Sequence, residues 1–123
     1  MSSDKLKFMD DILYFNTGAR IRELRQQRRF SQEHLAFESG ISITHLRLIE
    51  TGKKNPTIKV IEKITHALGI SLHVFFNDAL PDDDTTDELM LQLMEQLKGS
   101  SDIEKRQLAA ILTQIQQYRN LPR

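Results

Sequence analysis

Apolar residues recur every three or four positions along almost the whole chain, which is the spacing of one face of an α-helix. The alternation of apolar and polar residues that is typical of a half-buried strand is nearly absent. Residues 17–77 therefore divide into five predicted helices. Their predicted starts are Thr17, Ser31, Ser42, Thr57 and Ser71, and glycines end the second, third and fourth at Gly40, Gly52 and Gly69.

The pattern changes after residue 77. Residues 78–84 are acidic and contain a proline, which predicts a linker. Residues 85–123 predict two helices that begin at Thr85 and Ser101, each with a glutamate three residues later, and that pack antiparallel around Gly99. Residues 1–16 predict an amphipathic extension. The expected fold class is all-α: a five-helix domain plus a C-terminal two-helix hairpin.

Composition narrows the class of protein. The 123 residues include no cysteine, which excludes disulfides and thiolate metal sites and favours an intracellular, cytoplasmic protein. The sequence has no apolar run long enough for a transmembrane span, so we expect no membrane partner, and the charged N-terminus does not resemble a signal peptide. The net charge of zero hides a basic block. Residues 17–77 carry ten Lys and Arg against five acidic residues, which indicates contact with a polyanion.

Residues 31–52 contain the informative motif, SQEHLAFESGISITHLRLIETG. A short helix, a turn with Gly40 and a second short helix have the spacing of a DNA-binding helix-turn-helix, whose second helix enters the major groove. The pattern turns one set of side chains inward to fix the angle between the helices: Leu35, Ala36, Ile41, Leu46 and Ile49. It turns another set outward: Ser42, Ile43, Thr44, Arg47 and Leu48.

From about Gly18 to Phe76 the chain resembles the phage repressor and Cro (XRE) family, through RIRELRQQRRFSQEHLA, the Gly-Ile-Ser turn, LIETGKKNP and IEKITHALGIS. The resemblance implies that the five helices are a repressor-like helix-turn-helix DNA-binding domain, followed by the C-terminal two-helix hairpin. It also implies that Gln32 binds a phosphate and that Arg25 and Glu50 form a structural ion pair. It assigns base edges or nearby phosphates to Ser42, Ile43, Thr44, Arg47 and Leu48. It assigns the DNA backbone to Lys53, Lys54 and Asn55.

The chain departs from the family at two positions of the second helix. Ile43 and Leu48 are apolar where many relatives have polar residues, so we expect them to contact thymine methyl groups and only Arg47 to bind guanine in a bidentate manner. In the alternative interpretation Leu48 packs inward and Ile43 is simply exposed. The four histidines lack convincing ligand spacing, and no nucleophile or phosphate loop is visible, so we expect no metal, no cofactor and no enzymatic activity.

The predicted hairpin has two apolar stripes, and we expect them to form a dimer interface: Leu89, Leu93, Leu97, Leu108, Ile111, Leu112 and Ile115. A dimer provides the two-fold symmetry that a helix-turn-helix protein needs to read a palindromic operator. The expected partners are double-stranded DNA and a second copy of the chain. A protein antagonist or a toxin is an open alternative as a further partner. The main hypothesis is a dimeric repressor; the alternatives are an autorepressing antitoxin and a protein-only adaptor. The hairpin has two alternative roles, a lid folded back on the head and a tail that binds a toxin.

Overall fold

The computed structural model describes residues 16–77, 86–97 and 99–119, and the side chains in these ranges except those of 86–90, 118 and 119. Seven helices occupy them and no strand is present there: α1 (Thr17–Gln27), α2 (Gln32–Ser39), α3 (Ile43–Glu50), α4 (Ile58–Leu68), α5 (Leu72–Asn77), α6 (Thr86–Gln96) and α7 (Asp102–Arg119). The all-α class is thus confirmed. The predicted extension, apart from Asn16, and the predicted linker at 78–84 lie outside the described residues, as does Thr85.

Side-chain caps start the helices close to where the sequence predicts them. The hydroxyls of Ser31 and Ser42 accept the backbone N–H three residues later, at 3.0 Å in both cases. The predicted cap of α1, Thr17, is wrong by one residue. The cap is Asn16, whose Oδ1 accepts the Ala19 N–H at 2.9 Å, and Thr17 is the first helical residue. Each cap satisfies a backbone donor that the first turn of a helix leaves without an intrahelical partner.

Helices α1 to α4 end in the same way, with a residue in the left-handed region. Gly40, Gly52 and Gly69 have φ of 70°, 75° and 72° after α2, α3 and α4. After α1 the corresponding residue is Arg29, with φ of 58°. The Phe30 N–H donates to the Arg25 carbonyl at 3.1 Å, which closes the α1 terminus with the bond expected of a Schellman motif.

The five helices of residues 17–77, called the head, pack around one apolar core. Helix α1 packs on α3, while α2 packs on both α3 and α4. The buried apolar residues of the head are Ile21, Leu24, Leu35, Ala36, Leu46, Ile49, Ile58, Ile61, Ile64, Leu68, Phe75 and Phe76. This core holds α2 and α3 together, as the helix-turn-helix motif predicts.

A close crossing of α1 and α3 depends on Gly18. A β-carbon at this position would overlap the Ile49 carbonyl oxygen and would also lie 3.3 Å from the Glu50 Cα. Backbone atoms of a helix cannot move aside as the end of a flexible side chain can. Gly18 therefore sets the distance between α1 and the helix that carries the outward-facing side chains.

Helices α6 and α7 form the predicted hairpin, and they pack back on the head through contacts of α7 with α4 and α5. Five of the residues expected to form a dimer interface are instead buried in the core that the hairpin shares with the head: Leu93, Leu97, Leu108, Leu112 and Ile115. Ile111 is half-buried, and the side chain of Leu89 lies outside the described residues. Of the alternatives, the folded-back hairpin is the arrangement present in the chain.

Polar contacts also join the hairpin to the head. The Thr17 N–H donates to Gln96 Oε1 at 3.4 Å, and the Thr17 hydroxyl donates to the same oxygen. His73 Nε2 and Gln114 Oε1 are 2.9 Å apart and form a hydrogen bond between α5 and α7. None of the helices within the described ranges is long and apolar enough to cross a membrane.

We predict that Gly18→Ala destabilises the protein by about 3 kcal/mol or more, because the new methyl group forces α1 away from α3. Gly99→Ala is the matched control, since a β-carbon there meets only the Thr57 Cγ2 at 3.9 Å, which is ordinary contact. Urea unfolding of both variants measures the difference. Equal stability of the two variants would show that the crossing tolerates a side chain.

We predict that Arg29→Gly stabilises the protein by about 0.5–1 kcal/mol. The left-handed conformation costs a non-glycine residue about 1–2 kcal/mol, and the greater conformational entropy of glycine in the unfolded state offsets only part of this gain. Gly40→Ala is the reciprocal variant: it places alanine at φ of 70° with nothing within 4 Å of the new β-carbon. We expect it to lower stability by about 1 kcal/mol. Thermal unfolding checks both, and a lower melting temperature for Arg29→Gly contradicts the prediction.

Candidate nucleic-acid interface

A bidentate ion pair between Arg25 and Glu50 joins the end of α1 to the end of α3. Arg25 Nε donates to Glu50 Oε2 at 2.8 Å, and Arg25 Nη2 donates to Oε1 at 3.0 Å. The two side chains are 12% and 1% exposed. Arg25 Nη1 donates to the Phe30 carbonyl at 2.8 Å, so the pair also fixes the connection to α2. The ion pair that the family resemblance implies is therefore present, and its role here is structural.

Gln32, the first residue of α2, connects this pair to the outer surface. Its Nε2 donates to Glu50 Oε1 at 3.1 Å. Its Oε1 accepts from Arg47 Nε at 3.4 Å. Because the amide nitrogen carries two hydrogens, the bond to Glu50 leaves one that can be donated to an anion at the start of α2.

Helix α3 presents a polar face to solvent. Ser42, at its cap, and Thr44, Arg47 and Thr51 are exposed. Thr44, Arg47 and Thr51 are spaced by three and four residues, so they lie along one side of the helix. Thr51 was not among the predicted site residues, although the same spacing counted forward from Thr44 points to it.

Two apolar residues of α3 were expected to face outward, Ile43 and Leu48; both are half-buried, and they differ in their surroundings. Ile43 packs against the hydrophobic core. Leu48 is not part of that core, and it keeps a partly exposed side chain next to Arg47. Ile43 is therefore not simply exposed, and Leu48 is the better placed of the two for contact with an apolar group outside the protein.

The loop after α3 carries three exposed polar residues, Lys53, Lys54 and Asn55. The N–H groups of Lys53 and Lys54 both donate to the Leu48 carbonyl, at 2.9 and 3.1 Å. These bonds fix the backbone of the two lysines at the carboxyl end of α3. We call Lys53–Asn55 the basic loop.

His45 lies on α3 near the basic loop, and it is half-buried. Burial lowers its pKa, and the positive charge of Lys54 lowers this pKa further. Both effects disfavour the imidazolium form, so the ring is neutral at pH 7. His45 therefore adds no positive charge to this surface.

One side of the head thus carries the basic loop together with five predicted site residues: Gln32, Ser42, Thr44, Arg47 and Leu48. The surface combines side-chain donors, one guanidinium and two ammonium groups, which is the chemistry of a site for phosphates and base edges. Ile43 contributes more to the core than to this surface.

Comparison with known proteins agrees with this geometry. Residues 21–75 match the model of a helix-turn-helix family. The chain is 41% identical over 54 residues to the control protein C.BamHI of Bacillus amyloliquefaciens, an alignment that covers 43% of this chain and 67% of that protein. The chain belongs to the helix-turn-helix family, in its XRE-type branch.

Two further relatives are longer than the aligned region. The transcriptional regulator PuuR of Escherichia coli is 36% identical over 61 residues, which are 50% of this chain and 33% of PuuR. The immunity repressor protein of Bacillus phage phi105 is 34% identical over 55 residues, which are 45% of this chain and 38% of that protein. The chain therefore spans only about a third of the length of these two relatives. No solved structure matches. The names of the three relatives describe regulators and not enzymes.

We predict that Glu50→Ala destabilises the protein by about 3–5 kcal/mol, because it leaves the Arg25 guanidinium without its partner in a mostly buried position. Glu62→Ala, which removes an exposed carboxylate from α4, is the control. The melting temperatures of both variants test the prediction. An unchanged melting temperature for Glu50→Ala would show that the pair adds nothing to stability.

Proposed function

We propose that this chain is a sequence-specific DNA-binding transcriptional regulator that places α3 in the major groove and represses transcription. The observation that carries the proposal is the combined surface of α3, Gln32 and the basic loop. The names of the relatives, which include a repressor, support the same class of function.

Base recognition is assigned to the exposed face of α3. Arg47 is the side chain suited to bidentate donation to guanine, and its contact with Gln32 through Nε leaves both terminal nitrogens for that purpose. Thr44 and Thr51 offer hydroxyl groups on the same face. Leu48 offers an apolar contact to a thymine methyl group.

Phosphate contacts are assigned to two places on either side of this face. Gln32 lies at the amino end of α2, where the helix dipole favours an anion. The basic loop supplies two ammonium groups and an amide at the carboxyl end of α3. Such contacts orient a protein on duplex DNA without selecting a sequence.

We further propose that the protein acts as a homodimer on a palindromic operator, because two-fold symmetry lets two copies of α3 enter successive turns of one groove. The buried stripes of the hairpin belong to the chain's own core, so the contact is assigned to outward residues. Leu91 on α6 is 71% exposed, and Ile103 on α7 is 68% exposed. An apolar side chain with this exposure gains free energy when a second copy covers it.

We predict that Arg47→Ala weakens operator binding by about 1–3 kcal/mol per half-site and relaxes the preference at one base pair. Lys54→Ala, the matched control on the basic loop, weakens binding to all sequences alike. Selection of binding sites from a randomised duplex pool measures both effects. An Arg47→Ala protein that selects the wild-type motif would exclude a base-reading role for this residue, and a wild-type protein that enriches no motif would exclude sequence-specific binding.

We predict that the double variant Leu91→Glu, Ile103→Glu is monomeric at tens of micromolar, whereas the wild-type protein is dimeric, because a dimer would bury two unpaired carboxylates from each copy. Gln117→Glu, an exposed position near the other end of α7, adds a charge outside the proposed contact. Sedimentation measures all three proteins. A monomeric wild type would refute the homodimer, and a dimeric double variant would refute this choice of residues.

A further inference from the structure

The backbone N–H groups at the amino end of α4 donate hydrogen bonds to side chains of the hairpin. The Ile58 N–H donates to Ser100 Oγ at 2.9 Å in a buried position. The Lys59 N–H donates to Glu104 Oε2, also at 2.9 Å. The third N–H, that of Val60, donates at 3.2 Å to the hydroxyl of Thr57, the cap residue of the helix. Two of the backbone donors that the start of a helix leaves without an intrahelical partner therefore depend on residues more than forty positions away.

Residues 99–104, called the hairpin turn, are held firmly enough to serve as such a partner. Glu104 accepts from the Ser101 hydroxyl at 3.1 Å through Oε1, and its N–H donates to Ser101 Oγ at 3.2 Å. The second bond caps α7, and the first ties the Glu104 carboxylate to the same hydroxyl. They orient the Glu104 carboxylate so that its other oxygen faces α4.

The basic loop lies immediately before this contact. Its first end is fixed at α3, where Lys53 and Lys54 donate to the Leu48 carbonyl. Its second end continues through Pro56, which is buried, to Thr57 and α4. The three exposed residues of the basic loop thus connect two ordered helix ends. The hairpin turn supplies part of the contacts that order the second of them, the amino end of α4.

We propose that Ser100 and Glu104 are positioning residues for DNA binding: by capping α4 they hold the basic loop in the conformation in which it contacts the phosphate backbone. The inference rests on the proposed function, and it adds a role for the hairpin in affinity. The mechanism is pre-organisation, since a loop that is already ordered in the free protein loses less conformational entropy when it binds. Sequence preference belongs to α3 and is expected to be independent of these two residues.

The charge of Glu104 acts in the opposite direction, and the experiment has to separate the two effects. A carboxylate near the DNA backbone repels phosphates, so its removal by itself strengthens binding. Glu104→Gln removes the charge and keeps an oxygen that can accept the Lys59 N–H. Glu104→Ala removes both. The comparison of these two variants therefore isolates the hydrogen-bond acceptor.

The test measures the affinity of full-length variants for one duplex that carries the selected wild-type operator, in a single buffer. We expect Glu104→Gln to bind at least as tightly as wild type. We expect Glu104→Ala to bind about fivefold more weakly than Glu104→Gln, which is the size of effect that loss of a helix cap produces. Ser100→Ala, which changes no charge, is expected to be weakened to a similar extent. Thr113→Ala is the control, because the exposed Thr113 hydroxyl donates to the Ala109 carbonyl within α7 and contacts neither acceptor of α4.

A second measurement, made without DNA, distinguishes the possible failures. Hydrogen exchange of the Ile58 and Lys59 amides is expected to be slow in wild type and in Glu104→Gln, and the Lys59 amide to be faster in Glu104→Ala. Equal affinities of Glu104→Ala and Glu104→Gln, or unchanged exchange of the Lys59 amide, would overturn the inference while leaving DNA binding intact. If the wild-type protein bound no duplex, the proposed function itself would fail. Selection of an altered base motif by Glu104→Ala would also overturn the inference, because the role assigned here is confined to the backbone.

Discussion

The Arg25–Glu50 ion pair is the interaction on which the candidate surface most depends. It links α1 to α3, and through the Phe30 carbonyl it fixes the connection to α2. Glu50 also accepts from Gln32, which in turn accepts from Arg47. One nearly buried carboxylate thus orients an amide and, through it, a guanidinium on the outer face. A buried carboxylate is costly unless every partner is in place, so the network favours a single arrangement of these helices.

The hairpin gives the head a second set of long-range constraints. Its apolar residues enter the core of the head, and its polar residues contact the amino ends of α1 and α4 through Gln96, Ser100 and Glu104. The helix-turn-helix is therefore held from two sides, by the ion pair between α1 and α3 and by the hairpin beside the basic loop. The sequence pattern separates the hairpin from the head by an acidic linker, but the hairpin shares the hydrophobic core of the head.

Local features of the sequence predict most of the helices. Ser31, Ser42 and Thr57 are found as caps because a hydroxyl on the residue just before a helix can accept the backbone N–H three residues later. The Arg25–Glu50 pair spans 25 positions, and only resemblance to a family implies it. The outward face of α3 is predicted in part. Periodicity alone does not tell that Ile43 packs on the core while Leu48 stays at the surface.

The docking of the hairpin is not predictable from local pattern. An apolar stripe on a helix indicates that something covers it, and it does not tell whether the cover is the same chain or a second copy. The contacts that decide the matter, such as Thr17 with Gln96 over 79 positions, involve polar residues with no distinctive spacing. Gly18 is a similar case, since a glycine in the first turn of a helix does not reveal the neighbouring backbone that requires it.

The most direct test of the account is the salt dependence of duplex DNA binding by the full-length protein. If two copies each present Lys53, Lys54 and Arg47 to the DNA, about six positive charges displace condensed counterions, and log affinity falls with log salt with a slope of about −5. The measurement is a binding titration on one duplex at several salt concentrations. A slope near −5 is the predicted result, and a slope near zero would contradict the claim that this surface binds DNA.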